Sequence, residues 1–164
     1  DPSKAPVLGF PRDVKELALQ LSRHSFIFFE NVSWLSQAAS DMLCMAVTGG
    51  SISKRMLYTD ADDFFVSIQT NVGINGINIA AIQPDLLERT ILLGLERIED
   101  GANKTLQGLN AGFDKERPRI LGALFSAAAK ALAIQPSIVL EKLPRMADFT
   151  QWGAAIAEAL GFHK

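Results

Sequence analysis

The chain has 164 residues, 48% of them apolar, and its 16 basic and 18 acidic side chains give a net charge of −2. That length suits one domain with its own core, or a compact core with a small attached lid. The near-neutral balance excludes a broadly basic nucleic-acid binder, so any such contact must come from a local patch such as Lys54-Arg55. A single cysteine, Cys44, excludes an internal disulfide, lies in the apolar run Met42 to Val47, and fits a cytoplasmic setting. Glu96, Lys130 and other polar residues interrupt the apolar runs, so no membrane span is expected. The opening Asp1-Pro2-Ser3-Lys4-Ala5-Pro6 has neither an initiating Met nor the apolar stretch of a signal peptide, which points to a piece of a longer chain.

Three prolines make residues 1–11 an irregular, extended lead-in. Asp13 and Glu16 then start a helix from about Arg12 to Ser22, with Val14, Leu17, Ala18 and Leu21 at helical spacing. Phe26-Ile27-Phe28-Phe29 reads as a strand buried on both faces, the kind found in parallel sheets, and it ends on Glu30 and Asn31. Gln37 to Val47 continues as a helix behind the cap candidates Ser33 and Ser36, until Thr48-Gly49-Gly50 stops it. Ile52, Leu57 and Tyr58, the acidic turn Asp60 to Asp63, and Phe64 to Ile68 form a β-hairpin with Lys54 and Arg55 near one end.

A strand from Asn71 to Asn75 follows and Gly76 breaks it. Pro84 opens a short helix through Arg89, and Thr90 to Leu95 reads as a further apolar strand. Beyond Gly101 helix formers dominate. One helix is expected over 103–116 and a second from Pro118, with Ile120, Leu121, Leu124, Ala128 and Leu132 as its buried stripe. A last helix from Pro144 carries Met146, Phe149, Trp152, Ile156 and Leu160 on one side. The expected architecture is an α/β core over 1–100, with a parallel sheet and a hairpin, followed by an α-helical lid over 101–164.

In open α/β sheets, ligands gather beyond the carboxyl ends of the strands. Glu30, Asn31 and Asn75 stand at such ends, and an acid on one tip with an amide on the next suits a site that holds Mg²⁺ and orients a water. Plainer roles exist for each of these residues: a solvated strand terminus for Glu30, and turn chemistry for Asn75 beside Gly76. His24 and His163 make no metal-ligand spacing.

The order of Phe28-Phe29-Glu30-Asn31-Val32-Ser33, Ser40 to Gly50, Arg55-Met56-Leu57-Tyr58-Thr59-Asp60, Ile74-Asn75-Gly76-Ile77 and Leu143 to Phe149 resembles the second half of a P-loop ATPase of the AAA+ class. It looks most like the primase-associated, helicase-type ATP-binding proteins of phages and mobile elements, and the resemblance covers nearly the whole chain. It implies an oligomeric ATPase that uses ATP and Mg²⁺ to unwind or move along DNA, with a primase or other replication proteins as further partners. Glu30 would be the Walker B acid on the metal or the attacking water, where the family more often has Asp, and Asn31 would stand beside it in the catalytic set. Asn75 would be the sensor that orients water, and Arg89 the finger offered to the neighbouring subunit. Arg145 would be the lid arginine that reaches phosphate, and Lys54 and Arg55 would follow the DNA backbone from the hairpin. For Arg89, an ordinary pair with Asp85 four residues earlier is the alternative; for Lys54 and Arg55, a solvated hairpin.

A P-loop requires G-x-x-x-x-G-K-[ST], whose backbone N–H groups and Lys cradle phosphates. The nearest text, Thr48-Gly49-Gly50-Ser51-Ile52-Ser53-Lys54, has no Gly before Lys54 and follows the Walker B position rather than preceding it. Under the resemblance the chain by itself binds ATP poorly and hydrolyses it negligibly. The rival reading is a non-catalytic module that binds protein or DNA.

Overall fold

A computed structural model describes residues 7–55, 63–77, 83–142 and 144–162. The chain divides into two units, Asp1–Leu92 and Leu93–Lys164. The composition change at Gly101 had placed the boundary eight residues later.

The first unit is built on a parallel sheet in the order β1 (Val7–Gly9), β2 (Phe26–Glu30), β5 (Asn71–Ile74). Val7 lies opposite Phe28 and Gly9 opposite Glu30, while Phe26 lies opposite Asn71 and Phe29 opposite Ile74. Part of the expected lead-in is therefore a strand. Three residues between Pro6 and Pro11 are too short for a periodic signal, and the pairing with β2 is what makes them a strand.

Helix α1 (Val14–Arg23) is the crossover from β1 to β2. Asp13 caps it by accepting from the Lys15 N–H at 2.7 Å, and it buries Leu17 and Leu21. Ser36 caps α2 (Gln37–Thr48) by accepting from the Ala39 N–H at 3.2 Å. These helices bring Leu17, Leu21, Ala39, Leu43, Cys44 and Ala46 into one core with Ile27 and Phe29 of β2. Phe10 meets Phe29 edge to face, with ring centres 4.9 Å apart. The strand is not buried on both faces as its composition suggested: Ile27 and Phe29 are buried, while Phe28 is half-buried and Phe26 is 57% exposed. Phe28 leans over Gly73 of β5, so closely that a Cβ there would collide with its ring.

The hairpin forms as expected from β3 (Gly50–Arg55) and β4 (Asp63–Ile68), antiparallel, with Ile52 opposite Val66 and Arg55 opposite Asp63. Leu57, Tyr58 and the turn from Asp60 to Asp62 lie outside the described residues. A short helix, α3 (Pro84–Leu87), buries Leu86. The run Thr90 to Leu95 is not a strand: it has no ladder partner among the described residues, and Leu93 and Leu95 are 82% and 93% exposed. An apolar run becomes a strand only where a neighbour takes up its N–H and C=O groups.

The second unit holds α4 (Leu106–Ile134), a 3₁₀ turn at Gln135–Ser137, and α5 (Ala147–Ala159). Two expected helices are one helix of 29 residues with Pro118 inside it. Proline lacks the N–H that would bond Asp114, but the helix runs on, flanked by Arg117–Asp114 and Arg119–Glu116 ion pairs at 3.3 and 2.8 Å. The expected buried stripe of the helix from Pro118 is exposed, Leu124 and Leu132 by more than half. Ala131 and Ala155 are instead the buried residues of α4 and α5, and Gln151 of α5 joins Gln135 at 3.1 Å and the Ile138 carbonyl at 3.2 Å. The stretch Leu106–Ser137 is long and apolar enough to cross a membrane by length and composition, contrary to the expectation from its scattered charges, and only 6% of its most apolar segment is buried; one such helix is weak evidence of a span.

Candidate functional site

The carboxyl ends of β1, β2 and β5 lie side by side because all three strands run parallel, and beyond them opens a cleft of about 620 Å³. Its lining is Val7, Leu8, Gly9, Glu30, Asn31, Asn75, Gly76 and Ile77. Three of the expected residues, Glu30, Asn31 and Asn75, are thus gathered at one edge from positions up to 45 residues apart. The wall formed by Val7, Leu8 and Gly9 was not anticipated, and the apolar pair Val7-Leu8 before a glycine was its only signal.

Backbone hydrogen bonds continue past the sheet and stitch its two tips together. The Asn75 N–H donates to the Phe29 carbonyl at 3.1 Å, and the Val32 N–H donates to the Asn75 carbonyl at 2.9 Å. The Asn31 N–H donates to Asn75 Oδ1 at 2.7 Å. Asn31 has φ +56°, the left-handed region that Asn tolerates better than most residues. Gly76 is required by proximity: a Cβ there would run into the Val32 carbonyl oxygen.

The cationic residues lie elsewhere. Arg89 does not line the cleft; its side chain is 11% exposed, with Nη1 at 2.7 Å from Asp85 Oδ1 and 2.6 Å from the Asp85 carbonyl oxygen. Its Nε is buried without a hydrogen-bond partner. This small cluster lies near Cys44, whose thiol pKa is raised by burial first and then by its hydrogen bond to Asp85 and that residue's charge, with Arg89 opposing. Lys54 and Arg55 occupy the last two positions of β3, opposite Phe64 and Asp63. Arg145 belongs to the second unit, in the turn leading into α5.

The donor set sets the chemistry. Among the described residues no three His, Cys, Asp or Glu side chains cluster to hold a metal ion. One carboxylate beside a carboxamide suits a Mg²⁺ ion shared with substrate phosphate oxygens and water, but not a metal caged by protein alone. Among the described residues, no glycine-rich phosphate cradle lines the cleft.

The fold and cleft define a mixed α/β protein with a polar site at the carboxyl edge of a parallel sheet. Residues 6–164 match the family described as actinomycete integrative conjugative element replication protein, and the chain belongs to that family. No curated protein and no solved structure matches it. The family's description carries the link to mobile-element replication that the resemblance implied; it names no ATPase or helicase.

Proposed function

We propose that this chain is the C-terminal portion of an oligomeric, AAA+-like ATPase that couples ATP hydrolysis to DNA unwinding or translocation in the replication of its element. The observation that carries this is the meeting of Glu30 and Asn75 across adjacent parallel strand tips in one cleft. In this reading Glu30 holds the metal's water shell or polarises the attacking water, and Asn75 directs an amide donor at a phosphate oxygen or at that water. Mg²⁺, when bound, neutralises charge on the phosphate oxygens. The phosphate cradle has to come from polypeptide outside these residues, so the chain alone is expected to be inactive. Arg89 serves as a finger only if subunit assembly exchanges Asp85 for phosphate, which requires breaking the 2.7 Å ion pair. The β3–β4 hairpin is the element proposed to follow DNA, and the setting is cytoplasmic.

The test is single-strand-stimulated ATP hydrolysis by a longer protein that carries a phosphate-binding loop ahead of Asp1, beside its Glu30→Gln variant. Turnover that vanishes in the variant supports the motor. Absent turnover, or turnover indifferent to Glu30, leaves the non-catalytic module that binds DNA or protein. That second reading draws on the lack of a G-x-x-x-x-G-K-[ST] sequence in these 164 residues.

A further inference from the structure

We infer that Asn31 acts through its backbone, as a positioning residue that fixes Oδ1 of Asn75 and so leaves Nδ2 as the donor end offered to the cleft. The inference deepens the nucleotide reading of the cleft and rests on it. A carboxamide offers an acceptor at Oδ1 and two donors at Nδ2, and free rotation would let it present either to a ligand. The group facing Asn75 at 2.7 Å is the Asn31 N–H, which can only donate, so the facing atom must be oxygen.

The left-handed turn of the chain at Asn31 presents that N–H to Asn75. Its φ of +56° stands immediately after β2, and the next residue, Val32, bonds the Asn75 main chain at 2.9 Å. Two consecutive N–H groups therefore grip one residue, the first by its side chain and the second by its carbonyl. With Oδ1 held against the Asn31 N–H, Nδ2 is the end of the carboxamide turned away from that clamp. The cleft then offers a donor from Asn75 and an acceptor from Glu30, a pairing that recognises an anion carrying a cation, such as a magnesium-bound polyphosphate.

The side chain of Asn31 has no part in this clamp; its tolerance of positive φ does. Asn31→Gly should therefore preserve the arrangement, whereas Asn31→Val, β-branched and averse to positive φ, should lose it. Asn75→Asp keeps an oxygen acceptor for the Asn31 N–H but replaces the donor with a negative charge. Asn75→Ala removes both.

The experiment is NMR of the longer ¹⁵N-labelled protein that carries a phosphate-binding loop ahead of Asp1, titrated with MgATP, following the Asn75 side-chain amide and the Asn31 backbone amide. The wild type should show a slowly exchanging Asn31 N–H and a MgATP-dependent shift of the Asn75 amide protons. Asn75→Asp should retain the protected Asn31 N–H while weakening MgATP by about 10-fold or more, through the lost hydrogen bond and the added negative charge. Asn31→Gly should keep the protected N–H at position 31, and Asn31→Val should lose it while the remaining sheet amides keep their shifts. A wild type whose cleft amides ignore MgATP overturns the nucleotide reading, and this inference with it. A responsive wild type whose Asn31→Gly variant loses the protected N–H at position 31, or whose Asn75→Asp variant binds unchanged, overturns this inference alone.

Discussion

Substituting Gly76 by Ala tests the geometry that brings the two strand tips together. Neither Gly76 nor Gly9, which lines the same cleft, is in the left-handed region, so space alone separates them. A Cβ at Gly76 strikes the Val32 carbonyl oxygen, whereas one at Gly9 meets nothing within 4 Å. The obstacle is main chain, which cannot rotate away as a flexible side chain would. Overpacking of this kind costs about 1–3 kcal/mol, and pushing the tips apart also weakens the bond from the Val32 N–H to the Asn75 carbonyl, worth about 1 kcal/mol. The sum is roughly 2–4 kcal/mol. A two-unit chain has no single unfolding free energy, so the assay is native-state hydrogen exchange at amides of β2 and β5. Gly76→Ala should speed their exchange roughly 30- to 700-fold. Gly9→Ala should leave it unchanged or slow it slightly, because Ala restricts the unfolded chain. Equal exchange in the two variants would refute the close approach of residues 75–76 to Val32.

Other consequences follow from the same physics. Arg89→Ala removes a nearly buried guanidinium from an ion pair whose other member is half exposed, so the first unit should lose about 1 kcal/mol; unaltered exchange at the Leu86 amide would contradict this. The Cys44 thiol, raised by burial and by Asp85, should resist alkylation in the folded protein up to pH 9 and react at once in denaturant. Because the folded chain holds that proton more tightly than the unfolded one, stability should fall as pH rises past the ordinary thiol value, and Cys44→Ala should remove that part of the fall. Pro118→Ala restores a helix hydrogen bond to Asp114 and should stabilise α4 by up to about 3 kcal/mol, read as slower exchange around Lys115–Gly122. The assembled-motor reading also predicts a dimer or larger species, which sedimentation at micromolar concentrations would check against a monomer.

Local chemistry was legible wherever one segment carried its own signal. The caps at Asp13 and Ser36, the helices they open, the hairpin around Ile52 and Val66, and the strand at Phe26–Glu30 all follow from spacing and residue type. The acid and the amide at the strand ends were visible as well, because parallel strands deliver their last residues to one edge. What sequence could not supply was anything that depends on a partner. Val7–Gly9 is a strand because β2 is beside it, and Thr90 to Leu95 is not one because no described strand is. The 29 residues of α4 stay one helix across Pro118, a place where local propensity alone asks for a break. Arg89, read from its spacing as either a finger or half of a surface pair, is mostly buried beside Asp85 through packing near α2. The sequence by itself put Glu30, Asn31 and Asn75 at strand ends; only the tertiary structure added the Val7–Gly9 wall, kept Arg89 out of the cleft and decided how Asn75 is turned, because its carboxamide takes its orientation from an N–H that lies 44 residues away along the chain.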